Sequence, residues 1–214
     1  MQLSLTFDVE ARDHPCRAGN FVAMVELLVD AAVPATHFVQ GGWVRDRATA
    51  DDRAALAAPG MVVGLHGDTH TRFVELSGDA IVRELADAEQ ALLDRDLVPT
   101  RPLFRLPYLS GNTDGFVLQS VAACGWWHID AHAVAYDWKD DLRDDPRQVA
   151  RNVVEGIERR RAEAADTAIV LFHSWPDPAP DALRQVLEHA VSRGDTWVPL
   201  LDVPRRDWNN GIQL

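Results

Sequence analysis

Lysine is almost missing from this chain: Lys139 stands alone, and arginine supplies the rest of the 21 basic residues. That bias reads as the codon usage of a GC-rich genome and carries no mechanism. Cysteine is scarce as well. Cys16 and Cys124 can form one bridge at most and lack metal-ligand spacing, so a disulfide framework is excluded and the two read as unrelated reduced thiols. No apolar run approaches the roughly 18 residues that a membrane span needs. No basic-then-apolar leader opens the chain either, because residues 1–7 already read as a strand. The expectation is a cytoplasmic protein with no membrane partner. Dense clusters of positive charge are also absent. Arg159, Arg160 and Arg161, like Arg205 and Arg206, form small groups with acidic neighbours. With 33 acidic against 21 basic side chains, the net charge is −12 at pH 7. Such a chain has no stripe of cations to neutralise a phosphate backbone, which excludes nucleic acid as a partner.

What is present is an ordinary globular composition: 214 residues, 47% hydrophobic and 25% charged. This length can bury a substantial core without disulfides or oligomerisation, and neither linker nor low-complexity tract divides it. One domain over 1–214 is expected; the oligomeric state stays open. Strand patterns fall at 2–7, 35–39, 61–65, 103–104, 126–130, 168–172 and 197–201. Helical patterns fall between them at 19–32, 51–58, 77–94, 114–123, 149–164 and 182–192. Ser77 caps the clearest helix, Pro146 precedes another, and Gly194 can end the last. Alternation of this kind predicts a parallel α/β sheet, open or closed into a barrel.

In both architectures chemistry sits at the carboxyl ends of the strands. The residues delivered there are Asp8 and Glu10, His66 and His70, Arg105 and Tyr108, Asp137, and His173. His66-Gly67-Asp68-Thr69-His70 puts two imidazoles four apart at a strand exit, where one helical turn would aim both at one ion. Alone, such a pair is as readily incidental. Asp8-Val9-Glu10 adds two carboxylates that can divide the work, one completing a three-ligand metal site and the other deprotonating water. Arg105 can hold a carboxylate ionised and oriented, while Pro107 fixes a turn that points the Tyr108 N–H at a developing oxyanion. His173 follows a buried apolar strand. A lone histidine there is more often structural, but Asp137 can raise its pKa and keep it protonated as a general acid. His37 reads as core and His189 as a helix residue, and His14, His128 and His132 have no functional context.

Taken in order, five segments resemble the NodB-homology polysaccharide deacetylases, carbohydrate esterase family four. They are Thr6-Phe7-Asp8-Val9-Glu10, His66 to His70, Arg105 to Tyr108, Val134 to Trp138, and Ile169 to His173. The resemblance implies a distorted (β/α) barrel with fewer repeats than a regular eightfold one. It implies Asp8 as general base, oriented by Arg105, and His173 as general acid, tuned by Asp137. Tyr108 would give its backbone N–H to the oxyanion, and Trp138 and Leu171 would wall a small pocket for the acyl methyl. His66 and His70 would be metal ligands. Val9 stands where the family carries a second aspartate, so Glu10 is the implied third ligand. Val134 and Ser174 replace two further aspartates of the family pattern. The implied cofactor is a divalent metal, zinc first, with cobalt, nickel or manganese as alternatives. The implied reaction is removal of an acyl group, acetyl first, from a small N- or O-acylated sugar or oligosaccharide. Deformylation, or allantoin- or imide-type C–N hydrolysis of a small cytoplasmic substrate, is the alternative. A metal-binding pseudoenzyme ranks below both, because a binding module needs neither acid nor base.

Overall fold

The computed structural model describes residues 1–10 and 18–209; His14 and Cys16 lie outside the described residues, while Cys124 is a half-buried free thiol. Eight strands among these residues form one parallel sheet: β1 (Gln2–Val9), β2 (Ala35–Val39), β3 (Met61–Leu65), β4 (Leu103–Phe104), β5 (Trp127–His128), β6 (Ala133–Val134), β7 (Thr167–His173) and β8 (Thr196–Trp197). Their order is β5-β4-β3-β2-β1-β7-β6, and β8 pairs with Gln2 and Leu3 on the edge of β1 below β2. The sheet curls into a half-barrel, the distorted (β/α) barrel that the resemblance implies. Among the described residues seven helices cover it: α1 (Asn20–Asp30), α2 (Gly41–Asp46), α3 (Ala50–Leu56), α4 (Gly78–Leu93), α5 (Gly115–Ala123), α6 (Pro146–Ala162) and α7 (Ala179–Arg193). None of the described helices is long and apolar enough to cross a membrane.

β1 is the axis of the molecule, paired over nearly its whole length on both sides. Strand side chains alternate between faces, so Leu3, Leu5, Phe7 and Val9 share one face and Thr6, Asp8 and Glu10 continue on the other. The first set joins the large core beneath the helices, with Leu28 of α1, Leu85 of α4 and Val186 of α7. A smaller apolar cluster, Phe38, Leu103, Ile129, Ile169, Leu200, Val203 and Trp208, fills the other side.

Local chemistry sets most helix ends. The Ser77 hydroxyl accepts from Ala80 N–H, and Ile81, Leu85, Ala88 and Leu92 form the buried stripe of α4. Asp145 caps α6 ahead of Pro146, and Gly194 (φ 68°) closes α7 in a left-handed conformation. Three features depart from the sequence reading. α2 and β6 carry no periodic signal and form from tertiary contacts. α7 starts three residues early, because prolines 178 and 180 sit where a helix start leaves N–H groups unpaired anyway. The last strand stops at Trp197, and Pro199 introduces a 3₁₀ turn at Leu200–Asp202 instead, having no N–H with which to extend a ladder.

Candidate active site

β1 and β7 run side by side in register, with Asp8 opposite His173, and this pairing brings a carboxylate and an imidazole to one sheet end. Eight of the ten expected residues line a pocket of about 470 Å³ there; Arg105 and Asp137 stand behind the residues they hold.

Arg105 is fully buried. Its Nη1 donates to Asp8 Oδ1 at 3.0 Å and to Thr6 Oγ1 at 2.9 Å. Its Nε and Nη2 donate to the carbonyls of Ile129 (3.0 Å) and Asp130 (3.2 Å), and the guanidinium stacks 4.3 Å over the Phe38 ring. A buried charge is tolerable only when paired and satisfied, and this one is. Asp8 thus keeps one oxygen fixed and the other, Oδ2, turned toward the pocket side, 3.7 Å from His66 Nε2.

His173 is held twice by one carboxylate. Asp137 Oδ1 lies 2.7 Å from its Nδ1, and Asp137 Oδ2 accepts its backbone N–H at 2.8 Å. That grip leaves Nε2 for the pocket. Burial alone would lower the pKa of His173, but the Asp137 charge and hydrogen bond, with Glu10 and Asp8 behind them, raise it to about 9.

Glu10, His66 and His70 form the third group, with ligand atoms all within 4.8 Å of one another. His66 Nδ1 is paired with the Arg105 carbonyl at 2.9 Å, which fixes Nε2 as the atom facing the carboxylates. That Nε2 is buried and without a hydrogen-bond partner, 3.5 Å from Glu10 Oε2. His70 Nε2 contacts the same Glu10 oxygen, and Trp175 Nε1 donates to the other at 3.3 Å. Burial pushes the Glu10 carboxyl up, yet the two imidazoles beside it, with His173 behind them, hold it well below the usual range. Burial likewise disfavours charge on both imidazoles. The Asp8 and Glu10 carboxylates outweigh it and raise the His66 pKa, whereas His70 stays lowered. A buried imidazole nitrogen with no partner, aimed at a carboxylate and a second imidazole, fits a divalent ion of the zinc type.

The two histidines converge differently from the sequence expectation. Residues 66–70 are not a helical turn: Gly67 (φ 70°) and His70 (φ 62°) are left-handed, and the loop folds back on itself. It is pinned from outside. Glu84 of α4 accepts the Asp68 and Thr69 N–H groups, and Arg45 of α2 pairs bidentately with Asp68 at 3.0 and 3.1 Å. Gly41 and Gly42 of α2 donate to the Gly67 and Asp68 carbonyls. A Cβ at position 41 would strike Asp68 Oδ1 and come within 2.7 Å of Ala88 Cα, so only glycine permits this approach.

The sequence reading missed Glu84, Arg45 and Trp175, which no motif marks, and Arg72 and Tyr136 in the pocket wall. Thr6 was within reach of it, since period-2 alternation puts it on the Asp8 face. The same alternation settles position 9: Val9 points into the helix-side core, and Glu10 is the residue that shares a face with Asp8. His37 is core as expected, stacked on Phe7 at 5.1 Å. His128 and His132 are buried and accept the Leu106 and Ile169 N–H groups.

A parallel half-barrel that turns an arginine-held aspartate and an aspartate-held histidine toward one pocket places a proton acceptor and a proton donor side by side. Residues 2–129 match the family model described as polysaccharide deacetylase, and the chain belongs to that family. It is 27% identical over 181 residues to a chitooligosaccharide deacetylase of Rhizobium leguminosarum bv. trifolii, covering 81% of this chain and 72% of that protein. Its fold is similar to a family 4 carbohydrate esterase from Streptomyces lividans in complex with acetate, at TM-score 0.71 and 22% identity, over 91% of this chain and 90% of that one. It is also similar to a family 4 acetyl xylan esterase from Clostridium thermocellum in complex with a cobalt ion, at TM-score 0.74 and 25% identity, over 94% and 89% of the chains.

Proposed function

We infer that the protein is a divalent-metal-dependent deacetylase, acting as one domain over 1–214, that removes acetyl from an acetylated amino sugar or short oligosaccharide. The observation that carries this is the pairing of Asp8 with His173 across the strand register, the first buried and the second half-buried, each beside a dedicated partner of opposite charge. The curated relative acts on chitooligosaccharides by name, and that supports the substrate class. Nothing at the site favours the formyl or cyclic-amide alternative.

Glu10, His66 and His70 would hold the ion, zinc first and cobalt, nickel or manganese as alternatives. When bound, the ion supplies Lewis-acid charge for the acyl oxygen and lowers the pKa of water. Asp8 takes the proton of the attacking water through Oδ2, because Arg105 occupies Oδ1. The Tyr108 N–H, which no acceptor among the described residues takes, is the donor for the oxyanion. Asp137 keeps His173 protonated at neutral pH, so its Nε2 can deliver a proton to the departing nitrogen. Trp138 and Leu171 wall the space for the acetyl methyl. Each proton-transfer role is worth about 10²–10⁴-fold.

The test is acetate release from N-acetyl chito-oligomers by chelated protein, then after Zn²⁺ or Co²⁺ is restored. Activity is expected only with metal, with a loss of at least about 10²-fold in Asp8→Asn. Full activity in that variant, or in chelated protein, overturns the mechanism.

A further inference from the structure

Arg72 follows the second histidine by two residues and lines the pocket, exposed at its mouth. Its guanidinium lies 4.6 Å from the centre of the Tyr108 ring and makes no ion pair among the described residues. The other charged groups of the pocket are engaged. Asp8 is held by Arg105, Glu10 by the two histidines and Trp175, and His173 by Asp137. A second cation has the same character. The ammonium of Lys139, the single lysine, lies 4.7 Å from the Tyr136 ring and 6.0 Å from the Trp138 ring, and both rings line the pocket. It too makes no ion pair among the described residues, and the nearest acidic neighbour in sequence, Asp140, is paired with Arg143.

A cation resting on an exposed aromatic face is weakly held. An incoming anion can take it without breaking an ion pair. A guanidinium fork matches the two oxygens of a carboxylate and binds them in parallel, which a neutral sugar hydroxyl cannot reproduce. The chain as a whole carries −12 and repels anions, so two cations with no ion pair among the described residues, one in the pocket and one beside its aromatic wall, oppose that repulsion locally. Exposed Tyr108, Tyr136 and Trp138 offer faces for the sugar itself.

Resting on the deacetylase reading, we propose that the substrate is an acetylated sugar that also bears a carboxylate, with Arg72 recognising the carboxylate and Lys139 supplying the second charge. The probes are N-acetylmuramic acid and N-acetylglucosaminuronic acid, each against its own methyl ester, which keeps the shape and removes the charge. Binding is measured by calorimetry on zinc-loaded Asp8→Asn protein, so that turnover does not interfere. At least one acid binds about tenfold tighter than its ester. The advantage disappears in the Arg72→Gln background, weakens in Lys139→Gln, and shrinks in 0.5 M salt as screening requires. With Asp8 intact, Arg72→Gln raises KM for that acid about tenfold more than KM for its ester, and kcat for the two changes alike. Equal binding of acid and ester in both pairs overturns the proposal, as does an Arg72→Gln loss of the same size for both. If an acid is preferred in binding while wild-type protein releases no acetate from any probe, the deacetylase reading falls and the charge recognition stands.

Discussion

His173 and Arg105 show how much of this site rests on single partners. Desolvation alone would leave the half-buried His173 imidazole neutral at pH 7; Asp137, with Glu10 and Asp8 behind it, reverses that and holds its pKa at about 9. An acid with this pKa works below about pH 9 and fails above it. Asp137→Asn removes the charge but keeps the shape, so burial loses its strongest opponent and the alkaline limb of kcat/KM moves to lower pH. Activity at pH 7 falls by about 10²-fold. A pH–rate profile of the variant checks this, and an unmoved alkaline limb would refute the assignment of His173. Arg105 is a structural and an electrostatic group at once, tied to Asp8, Thr6 and two carbonyls. Arg105→Met leaves Asp8 buried beside an uncharged chain and is expected to cost about 3–5 kcal/mol, read from urea unfolding. Less than about 1 kcal/mol would remove Arg105 from the account of the fold's stability.

Among the elements, the 66–70 loop depends on pieces distant in sequence. α4 contributes Glu84, and α2 contributes Gly41, Gly42 and Arg45. These groups do not reach the ligand atoms; they fix the backbone that carries them. Outer partners of this kind typically contribute 10–100-fold to metal affinity. Glu84→Ala is therefore expected to weaken zinc binding about tenfold in a competition with a chromogenic chelator. Its kcat is expected to recover at saturating zinc. A lasting loss of kcat at saturation would assign Glu84 a role beyond the loop. Backbone strain concentrates here as well. His70, Tyr108, Leu109 and Tyr136 all have positive φ without being glycine, and all four line the pocket. Conformations of that kind persist where packing overdetermines them, and they turn side chains toward a site that relaxed loops would not reach.

For the whole molecule, histidine burial sets the pH range of stability. His37 and His128 are fully buried with pKa values lowered by burial to about 3, and His132 is lowered to about 4. Their folded values lie below the unfolded value of about 6.5, so their stabilising effect is complete above that pH and is lost as pH falls toward 4 and 3. His173 works in the opposite sense. Its raised value stabilises the fold fully below about 6.5 and is lost as pH rises through about 9. Urea midpoints of chelated protein across pH 4–10 should peak near pH 6.5 and fall on both sides. His37→Phe flattens the acid side while leaving the alkaline side, because the ring stacks on Phe7 and charging it in the core is what costs stability. An acid limb unchanged in that variant would remove His37 from the account.

Local signals made much of this legible beforehand. Alternation along 2–9, the apolar stripe of α4 and the capping residues are readable because strand and helix periods write themselves into consecutive residues. The ordered motifs named Asp8, Glu10, His66, His70, Arg105, Tyr108, Asp137, Trp138, Leu171 and His173, and the structure brings all ten to one sheet end. α2 and β6 were invisible because two glycines and a two-residue strand have no period, and they exist only through what packs on them. The path of the 66–70 loop was misread for a related reason: spacing alone suggested a helical turn, and partners in α2 and α4 impose another shape. The sequence by itself determined which residue types stand at which strand ends, and alternation put Glu10 rather than Val9 on the face of Asp8. How those ends converge belongs to the tertiary structure, since distances between strands, the grip of Glu84 and Arg45, and the placing of Arg72 and Lys139 against the aromatic wall of the pocket are relations between residues far apart in the chain.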